Sequence, residues 1–356
     1  MSKTPISVCI IAKNEEKNIE RCLSSLQPCG FEIVLVDTGS TDRTKELAAK
    51  YTDKIFDFAW CDDFSAARNF SLEKASNNWI FMLDCDEWIE HIDLEELDYF
   101  RKHLSHAAGS VTRKNLTGTP EAPAKTTDQT ERFFSKKLFK YTGIIHEQLT
   151  PKFEKTFETY LLNTTIGHDG YLMAEEARSK KAQRNLSLLE KQLTEKPDDP
   201  YILYQLGKGY EIIHDAANAC KYFERAIRPD LDPELAYVQE LIISYGEALL
   251  GTGQFSKALS LENIYDSFAT TADFVYLMGI IYLKNEKYEQ ALDQFEKALS
   301  FPTARKEGAN SFLAYYEIGR ILSMISEWNM ARNYFERCGN YQPAIHALKV
   351  LDANHL

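Results

Sequence analysis

The ten-residue stretch Trp79-Ile-Phe-Met-Leu-Asp-Cys-Asp-Glu-Trp88 indicates how the first half of the chain folds. Five apolar residues open it, as in a strand buried on both faces, and Asp84, Asp86 and Glu87 follow within four positions. In open α/β sheets the functional groups lie just beyond the carboxyl ends of the strands. Strand geometry predicts that Asp84 and Asp86 point to the same side, about 7 Å apart, where they can hold a divalent cation against a diphosphate. A solvated strand end would carry the same acids, so the rest of the sequence has to decide.

Three earlier apolar runs also predict strands, over residues 6–11, 31–36 and 54–58. Apolar residues at helical spacing separate each run from the next, and Asn14 is the expected N-cap of the first helix. This β-α-β-α-β order predicts a parallel sheet with helices on both faces. The segment contains neither G-x-G-x-x-G nor a Walker sequence, so dinucleotide and P-loop functions lack their residues.

The composition of the 356 residues, 44% hydrophobic and 26% charged, is that of a soluble globular protein with two or three domains. A net charge of −12 argues against a large nucleic-acid-binding surface and against broad attraction to anionic membranes. The seven cysteines include no Cys-x-x-Cys pair, the N-terminus does not resemble a signal peptide, and no apolar run approaches the roughly 20 residues of a membrane span. We therefore expect a cytoplasmic protein with reduced cysteines and no membrane span.

The segment Trp60–Asn69 carries acids, aromatic residues, Arg68 and an amide within ten positions. Arg68 has two interpretations: a surface salt bridge with Asp62 or Asp63, or a guanidinium directed at a phosphate or a base edge in the cleft. Further on, the Gly- and Pro-containing residues 117–124 predict a loop, and residues 132–139 predict a strand of a mixed sheet.

Four stretches together resemble family 2 glycosyltransferases of the GT-A fold. They occur in the order typical of that family: Ser7–Glu16, Ile33–Asp42, Asp63–Asn69 and Leu83–Glu87. The resemblance covers about the first 170 residues and implies an α/β domain with a Rossmann-like mixed sheet. It also implies a metal-assisted, inverting transfer of sugar from a nucleotide diphosphate, which in this family is usually UDP.

The resemblance implies specific positions for the bound donor. Ala12 and Glu15 would lie at the nucleotide, Asp37 would face the base, and Asp63 with Arg68 would complete the nucleoside pocket. Asp84 and Asp86 would form the Asp-x-Asp pair at the metal and the diphosphate. The full set expected to contact the nucleotide sugar is Ala12, Glu15, Asp37, Asp63, Arg68, Asp84, Cys85 and Asp86.

Two histidine motifs near the end of the domain are further candidates. In related transferases, Gly-x-x-His-Glu after an aromatic strand lies beside the acceptor, which would place His146 and Glu147 there. A carboxylate in a partly desolvated cleft suits a general base, so Glu147 is the predicted base and His146 would orient it or line the site. His168 lies in a Gly-rich turn and is predicted to join Asp86 as a ligand of Mn²⁺ or Mg²⁺. Both motifs could instead be structural, as a paired His-Glu and a simple exit turn.

The composition changes after residue 172. A charged helix is predicted over residues 173–199, and residues 200–356 contain a repeat led by Gly207, Gly246, Gly279 and Gly319. Three copies have small or aromatic residues at +3, +12, +16 and +19 from the glycine, and the second copy lacks the aromatic at +16. This pattern resembles tetratricopeptide repeats, so we expect an all-α domain of stacked helical hairpins with a concave surface.

The leading hypothesis is thus a glycosyltransferase with a nucleotide-diphosphate-sugar donor and a polypeptide or saccharide acceptor. The repeats would bind the acceptor or form a homodimer. Some transferases that glycosylate cysteine in bacteriocin peptides resemble this arrangement, which makes a peptide acceptor plausible. One alternative is an interaction scaffold whose transferase domain is inactive. Another, a nucleotidyltransferase, is disfavoured because the first strand is not followed by a Gly-rich basic loop.

Overall fold

The computed structural model of the chain describes residues 5–104, 106–119, 122–154, 156–170 and 175–353. The chain divides into two compact units, residues 1–192 and residues 193–356. Within the described ranges, no helix combines the length and the hydropathy that crossing a membrane requires.

The first unit is built on an eight-stranded mixed sheet and a separate two-stranded hairpin. Along the sheet the order is β3-β2-β1-β4-β7-β6-β10-β5, and β8 pairs with β9. The strands are β1 (Ile6–Ala12), β2 (Glu32–Asp37), β3 (Ile55–Asp57), β4 (Trp79–Met82), β5 (Glu87–Ile92), β6 (Ala108–Thr119), β7 (Ala122–Ser135), β8 (Phe139–Thr142), β9 (Gln148–Pro151) and β10 (Thr159–His168).

The predicted parallel strands are confirmed, and they share one functional edge. β1 lies between β2 and β4 and runs parallel to both, with Ala12 opposite Asp37 at the ends of β1 and β2. Nearly every residue of the three strands is buried, as expected of a parallel sheet covered on both faces. The carboxyl ends of these strands therefore bring three of the four predicted motifs, Ser7–Glu16, Ile33–Asp42 and Leu83–Glu87, to the same edge.

Helices follow the strands as the sequence predicted, with one difference at the first cap. The helices of this unit are α1 (Ile19–Leu26), α2 (Thr44–Ala48), α3 (Phe64–Lys74), α4 (Leu94–His103) and α5 (Glu175–Glu195). The cap position of α1 is Asn18 rather than Asn14, so the prediction of an Asn14 cap is wrong. Asn14 has a left-handed φ of 58°, and its side-chain oxygen accepts a hydrogen bond from the backbone of Thr41. It joins the loops after β1 and β2 instead of starting a helix.

The predicted loop is wrong at residues 117–119 and 122–124, which pair in the antiparallel ladder of β6 and β7, while residues 120 and 121 lie outside the described residues. Thr117 pairs with Ala124, Gly118 with Pro123 and Thr119 with Ala122. Proline is tolerated in a strand whose other edge is not paired, and β7 pairs with β4 only at residues 133–135. The pairing between β6 and β7 thus outweighs the tendency of the Gly and Pro residues to form a loop.

The second unit consists of helices joined in antiparallel pairs, as predicted. They are α6 (Pro200–Ile212), α7 (Ala216–Ala226), α8 (Ala236–Gly251), α9 (Phe255–Ala258), α10 (Tyr265–Phe268), α11 (Ala272–Lys284), α12 (Tyr288–Leu299), α13 (Phe312–Met324), α14 (Trp328–Glu336) and α15 (Gln342–Ala353). A 3-10 segment, Leu259–Ile264, connects α9 to α10.

The repeated glycine and the aromatic residue sixteen positions later touch across each regular hairpin. A Cβ added to Gly279 would stand 2.6 Å from the ring of Phe295, and one added to Gly319 would meet Phe335 at the same distance. The glycine lets the ring pack against the backbone of the first helix of the pair. The second copy has Glu262 in place of the aromatic residue, and its second helix is broken into short segments.

Candidate active site at the carboxyl edge of the sheet

The acidic turn after β4 closes on itself and does not continue the strand. β4 ends at Met82, the Asp84 amide donates to the Glu87 carboxylate at 3.0 Å, and the Glu87 amide donates to the Asp84 carbonyl at 3.0 Å. The alternation of a strand therefore does not apply to Asp84 and Asp86, and the expectation that both point to one side is wrong. The two carboxylates have different partners.

Asp84 contacts two buried arginines. Its Oδ1 lies 2.8 Å from Arg68 Nη2 and its Oδ2 lies 3.0 Å from Arg132 Nη2. Burial by itself would raise the pKa of Asp84, but the two guanidinium groups outweigh it and hold that pKa well below its usual range. Arg132 also pairs with Glu87, which is fully buried and has Arg113 at 3.4 Å as a second cation. The hairpin β6–β7 thus supplies the positive charge beneath the acidic turn.

Glu147 is held by Arg68, and the predicted orienting role of His146 is not seen. Arg68 Nε donates to Glu147 Oε1, with both side chains about nine-tenths buried. His146 is exposed and has a left-handed φ of 50°. Within the described residues, neither Asp62 nor Asp63 forms an ion pair with Arg68, which pairs with Asp84 and Glu147 instead.

The helix that carries Arg68 is tied to the β8–β9 hairpin that carries Glu147. The side chain of Asn69 accepts from the Tyr141 amide and donates to the Tyr141 carbonyl, each at 2.9 Å. The amide of Phe64, in the first turn of α3, donates to the Ile144 carbonyl at 2.8 Å. Two hydrogen bonds from a side chain to the backbone and one between backbone groups therefore hold the segment carrying Arg68 against the segment carrying Glu147.

Asp86 and His168, predicted as metal ligands, are brought together. Asp86 Oδ2 lies 3.5 Å from His168 Nε2. The Nδ1–H of His168 donates to the side-chain oxygen of Asn115 at 2.7 Å, which turns Nε2 toward Asp86, as in many histidines that ligate metals. A Cβ on Gly170 would overlap the Asp86 carboxylate and the His168 ring. The described residues contain no group of three or more His, Cys, Asp and Glu side chains arranged as a metal site, so the protein would supply two ligands at most from this cluster.

Asp37 and Ala12 lie side by side at the ends of β2 and β1. Asp37 is buried, and its Oδ2 accepts from the amides of Gly39 at 3.0 Å and Ser40 at 2.9 Å. Its Oδ1 is buried and finds no hydrogen-bond partner among the described residues. The Ala12 carbonyl accepts from the amide and the hydroxyl of Thr38. Among the described residues, no hydrogen-bond donor reaches this second carboxylate oxygen of Asp37. The oxygen is thus available to a hydrogen-bond donor of a ligand.

The remaining predicted residues lie around the same edge. Burial raises the pKa of Glu15, a hydrogen bond from Asn18 lowers it, and the charge of Asp86 raises it further. Glu15 therefore lies within electrostatic range of Asp86. Asp63 caps α3 by accepting from the Ala66 amide at 3.0 Å. The Cys85 thiol is buried and donates to the Ile11 carbonyl at 3.3 Å.

Sequence reasoning missed Arg113, Asn115, Arg132 and Tyr141. Arg132 directly precedes two fully buried phenylalanines in β7, and a charge at such a position is the one signal that could have identified it. Arg113, Asn115 and Tyr141 lie on strands, and the pairing of these strands with their neighbours cannot be read from the sequence.

Comparison with known proteins agrees with this geometry. Residues 7–163 match the family described as glycosyl transferase family 2, and residues 272–302 match a tetratricopeptide repeat. A TPR repeat-containing protein of Synechococcus elongatus is 26% identical over 308 residues, covering 85% of this chain and 74% of the relative. The SPbeta prophage-derived glycosyltransferase SunS of Bacillus subtilis is 24% identical over 288 residues, covering 79% of this chain and 68% of the relative.

A third relative matches a shorter part of the chain. The lipopolysaccharide core biosynthesis glycosyltransferase LpsC of Rhizobium meliloti is 37% identical over 92 residues, covering 25% of this chain and 34% of the relative. The family match covers the sheet and the acidic turn, and the repeat match covers α11 and α12. The first unit therefore carries a glycosyl transferase family 2 domain, and the second carries tetratricopeptide-like helical repeats.

Proposed function

We propose that the enzyme transfers a sugar, with inversion, from a nucleotide-diphosphate donor of the UDP-sugar class to a polypeptide or saccharide acceptor. The observation that carries the proposal is the meeting of Asp86 and His168 beside the acidic turn. Around it lie the other predicted donor-binding positions, at the ends of β1, β2 and β4.

The nucleotide base would lie at Asp37. The unpartnered, buried Oδ1 of Asp37 accepts hydrogen bonds only, so it favours a base that presents a ring N–H, as uracil does. Ala12, Glu15 and Asp63 would complete the nucleoside pocket with Arg68, whose Nη1 is also buried without a partner among the described residues. UDP itself is inferred from the family rather than from these contacts.

A divalent cation, Mn²⁺ or Mg²⁺, fits the donor set of this site. Asp86 and His168 would hold it, because an oriented imidazole nitrogen and a carboxylate oxygen face each other where Gly170 leaves room. When bound, the cation neutralises negative charge on the leaving diphosphate. Glu15, Asp37 and Asp86 add three carboxylates to this edge of the sheet, which makes a cation necessary for an anionic donor to bind.

Glu147 would act as the general base. An inverting transfer is a single displacement, so the acceptor nucleophile has to lose its proton to a group on the side opposite the leaving diphosphate. Glu147 is nine-tenths buried, and its contact with Arg68 fixes the position of its carboxylate. His146, exposed next to it, would line the acceptor entrance. Asp84, between Arg68 and Arg132, and Cys85 would position the sugar end of the donor.

The repeats would bind the acceptor or join two copies of the chain. Tetratricopeptide solenoids present a concave surface to extended partners, which favours a polypeptide acceptor. The relative LpsC, named for lipopolysaccharide core biosynthesis, favours a saccharide acceptor instead. These two acceptor classes are the alternatives that an acceptor assay has to separate.

A donor-hydrolysis panel tests the proposal. UDP-, GDP- and dTDP-sugars are incubated with the protein and Mn²⁺ or Mg²⁺, and nucleotide release is measured. We expect release from one UDP-sugar, abolished in Asp86→Asn and unchanged in Asp98→Asn, which alters a carboxylate on α4 paired with Lys102. If calorimetry detects no binding of any nucleotide sugar, the transferase is inactive and the chain is an interaction scaffold.

A further inference from the structure

The hydroxyl group of Tyr141 is a buried polar group with no assigned role. Only 6% of Tyr141 is exposed, and its hydroxyl has no hydrogen-bond partner among the described residues. Leaving such a group unpaired destabilises a protein by as much as a lost hydrogen bond does, and a phenylalanine would avoid that loss. The hydroxyl therefore calls for a reason other than stability.

Tyr141 cannot easily turn its hydroxyl elsewhere. Both its backbone amide and its carbonyl are bound by the side chain of Asn69. Its ring packs edge-on against Phe134, with centroids 5.8 Å apart, and the Arg68 guanidinium lies 5.4 Å from the ring centroid. The position of the hydroxyl is thus set by the same contacts that set Arg68 and Glu147.

The surroundings of this hydroxyl contain charges of both signs. Burial raises the pKa of Tyr141, Arg68 and Arg132 lower it, and Glu147 and Asp84 raise it further, so all four charged groups lie within electrostatic range. The hydroxyl is therefore protonated at neutral pH. Arg68 Nη1 is a second buried donor without a partner among the described residues. The Tyr141 ring thus lies against the guanidinium that pairs with Asp84 and Glu147.

Donors and acceptors mixed in this way match a sugar rather than a phosphate. A phosphate oxygen only accepts hydrogen bonds when ionised, so it cannot donate one to the carboxylate of Asp84 or Glu147. A sugar hydroxyl donates and accepts, so it can give a hydrogen bond to a carboxylate and take one from Tyr141. A neutral hydroxyl also suits a neutral ligand because it adds no charge that must be desolvated.

We propose that Tyr141 is a sugar-binding residue whose hydroxyl donates a hydrogen bond to a hydroxyl group of the donor sugar. This inference rests on the proposed function. It adds a residue that binds the sugar part of the donor and not its nucleotide part. It predicts that the free nucleotide binds independently of Tyr141, while the nucleotide sugar does not.

The test is Tyr141→Phe, studied by calorimetry with UDP, UDP-glucose, UDP-galactose and UDP-N-acetylglucosamine in the presence of Mn²⁺. For the sugar nucleotide that the wild type binds, we expect affinity to fall about 3- to 10-fold, the loss that corresponds to one neutral hydrogen bond. The affinity for UDP should not change. The midpoint of thermal unfolding should stay the same or rise, because an unpaired buried hydroxyl has been removed.

Tyr204→Phe is the matched control. Tyr204 is also 6% exposed, but it lies in the repeats and its hydroxyl bonds to Glu240. That variant should unfold at a lower temperature and bind the sugar nucleotide as the wild type does. Unchanged affinity of Tyr141→Phe for the sugar nucleotide, or an equal loss of affinity for UDP, overturns the inference. If the wild type binds none of the four probes, the proposed UDP-sugar donor is wrong. This outcome is distinguishable from failure of the Tyr141 inference, in which the wild type does bind a sugar nucleotide.

Discussion

Replacing Arg68 by methionine should destabilise the first unit through lost charge pairing. Arg68 is 7% exposed. It contacts Asp84 Oδ1 at 2.8 Å through Nη2 and Glu147 through Nε. Methionine fills much of the same space without a charge. In the variant, Glu147 loses this guanidinium, and Asp84 keeps only Arg132, at 3.0 Å.

The expected size of the effect follows from burial. Removing one partner of a buried ion pair costs about 3–5 kcal/mol. Asp84 is 28% exposed and keeps its second cation, so the lower end, about 3 kcal/mol, is expected for Arg68→Met. For a unit of this size, each kcal/mol lowers the unfolding midpoint by about 2–4 °C, so the shift should be about 6–12 °C.

The pH dependence distinguishes charge from packing. Burial would raise the pKa of Asp84, but Arg68 and Arg132 hold it well below its usual range. A carboxylate with a lowered pKa stabilises the folded state above the unfolded pKa, near 4, and this stabilisation is lost as the pH falls. The difference in free energy of unfolding between the wild type and Arg68→Met should therefore shrink from pH 7 to pH 3.

Urea unfolding followed by tryptophan fluorescence measures this difference, since Trp60, Trp79 and Trp88 all lie in the first unit. Arg43→Met is the control, because the Arg43 side chain is 63% exposed and pairs with Glu46 on the surface. It should not change stability measurably. An equal loss of stability at pH 7 and pH 3 in Arg68→Met would refute the ion-pair explanation and point to lost packing.

Three further predictions concern the metal ligands and the repeats. Gly170→Ala should reduce donor turnover by about tenfold or more without unfolding the protein, because a Cβ there would displace Asp86, as measured by nucleotide release and circular dichroism. Gly279→Ala should destabilise the repeats by about 1–3 kcal/mol in urea unfolding, because its Cβ would overlap the ring of Phe295. Chelation with EDTA should abolish donor turnover, and Mn²⁺ should restore it better than Mg²⁺, because an imidazole nitrogen is among the expected ligands.

Gly251→Ala serves as the control for both glycine variants, since a Cβ there meets no atom within 4 Å. It should leave turnover and stability close to those of the wild type. Normal turnover in Gly170→Ala would contradict the placement of Asp86 in the reaction. Wild-type stability of Gly279→Ala would contradict the ring-to-glycine packing, and full turnover in EDTA would remove the case for a cation.

The apolar runs and the helical repeat allowed the structure of their segments to be predicted from the sequence. Buried parallel strands need continuous apolar runs, so residues 6–11, 31–36 and 79–83 could be recognised without any knowledge of their neighbours. The helical repeats could be recognised for a related reason. In the three regular copies the glycine and the aromatic residue that pack together are sixteen positions apart, so this tertiary contact is visible as a periodicity in the sequence.

The ladder between β6 and β7 could not be predicted in this way. Its residues 117–119 and 122–124 have the composition of a loop, and their extended conformation comes from pairing with each other across the ladder. The partner of each strand residue is fixed by register, which local composition does not encode.

The sequence by itself determined which residues are candidates for the chemistry. Asp84 and Asp86 were candidates because acids directly follow an apolar strand, whereas Asp37, Glu147 and His168 were candidates through the resemblance to family 2 glycosyltransferases. Only the tertiary structure decided their partners. Asp84 faces two arginines while Asp86 faces a histidine, since the turn after β4 ends the alternation of the strand. Those arginines and that histidine come from helix α3 and strands β7 and β10, and the order of strands in the sheet, rather than any spacing along the chain, brings them together.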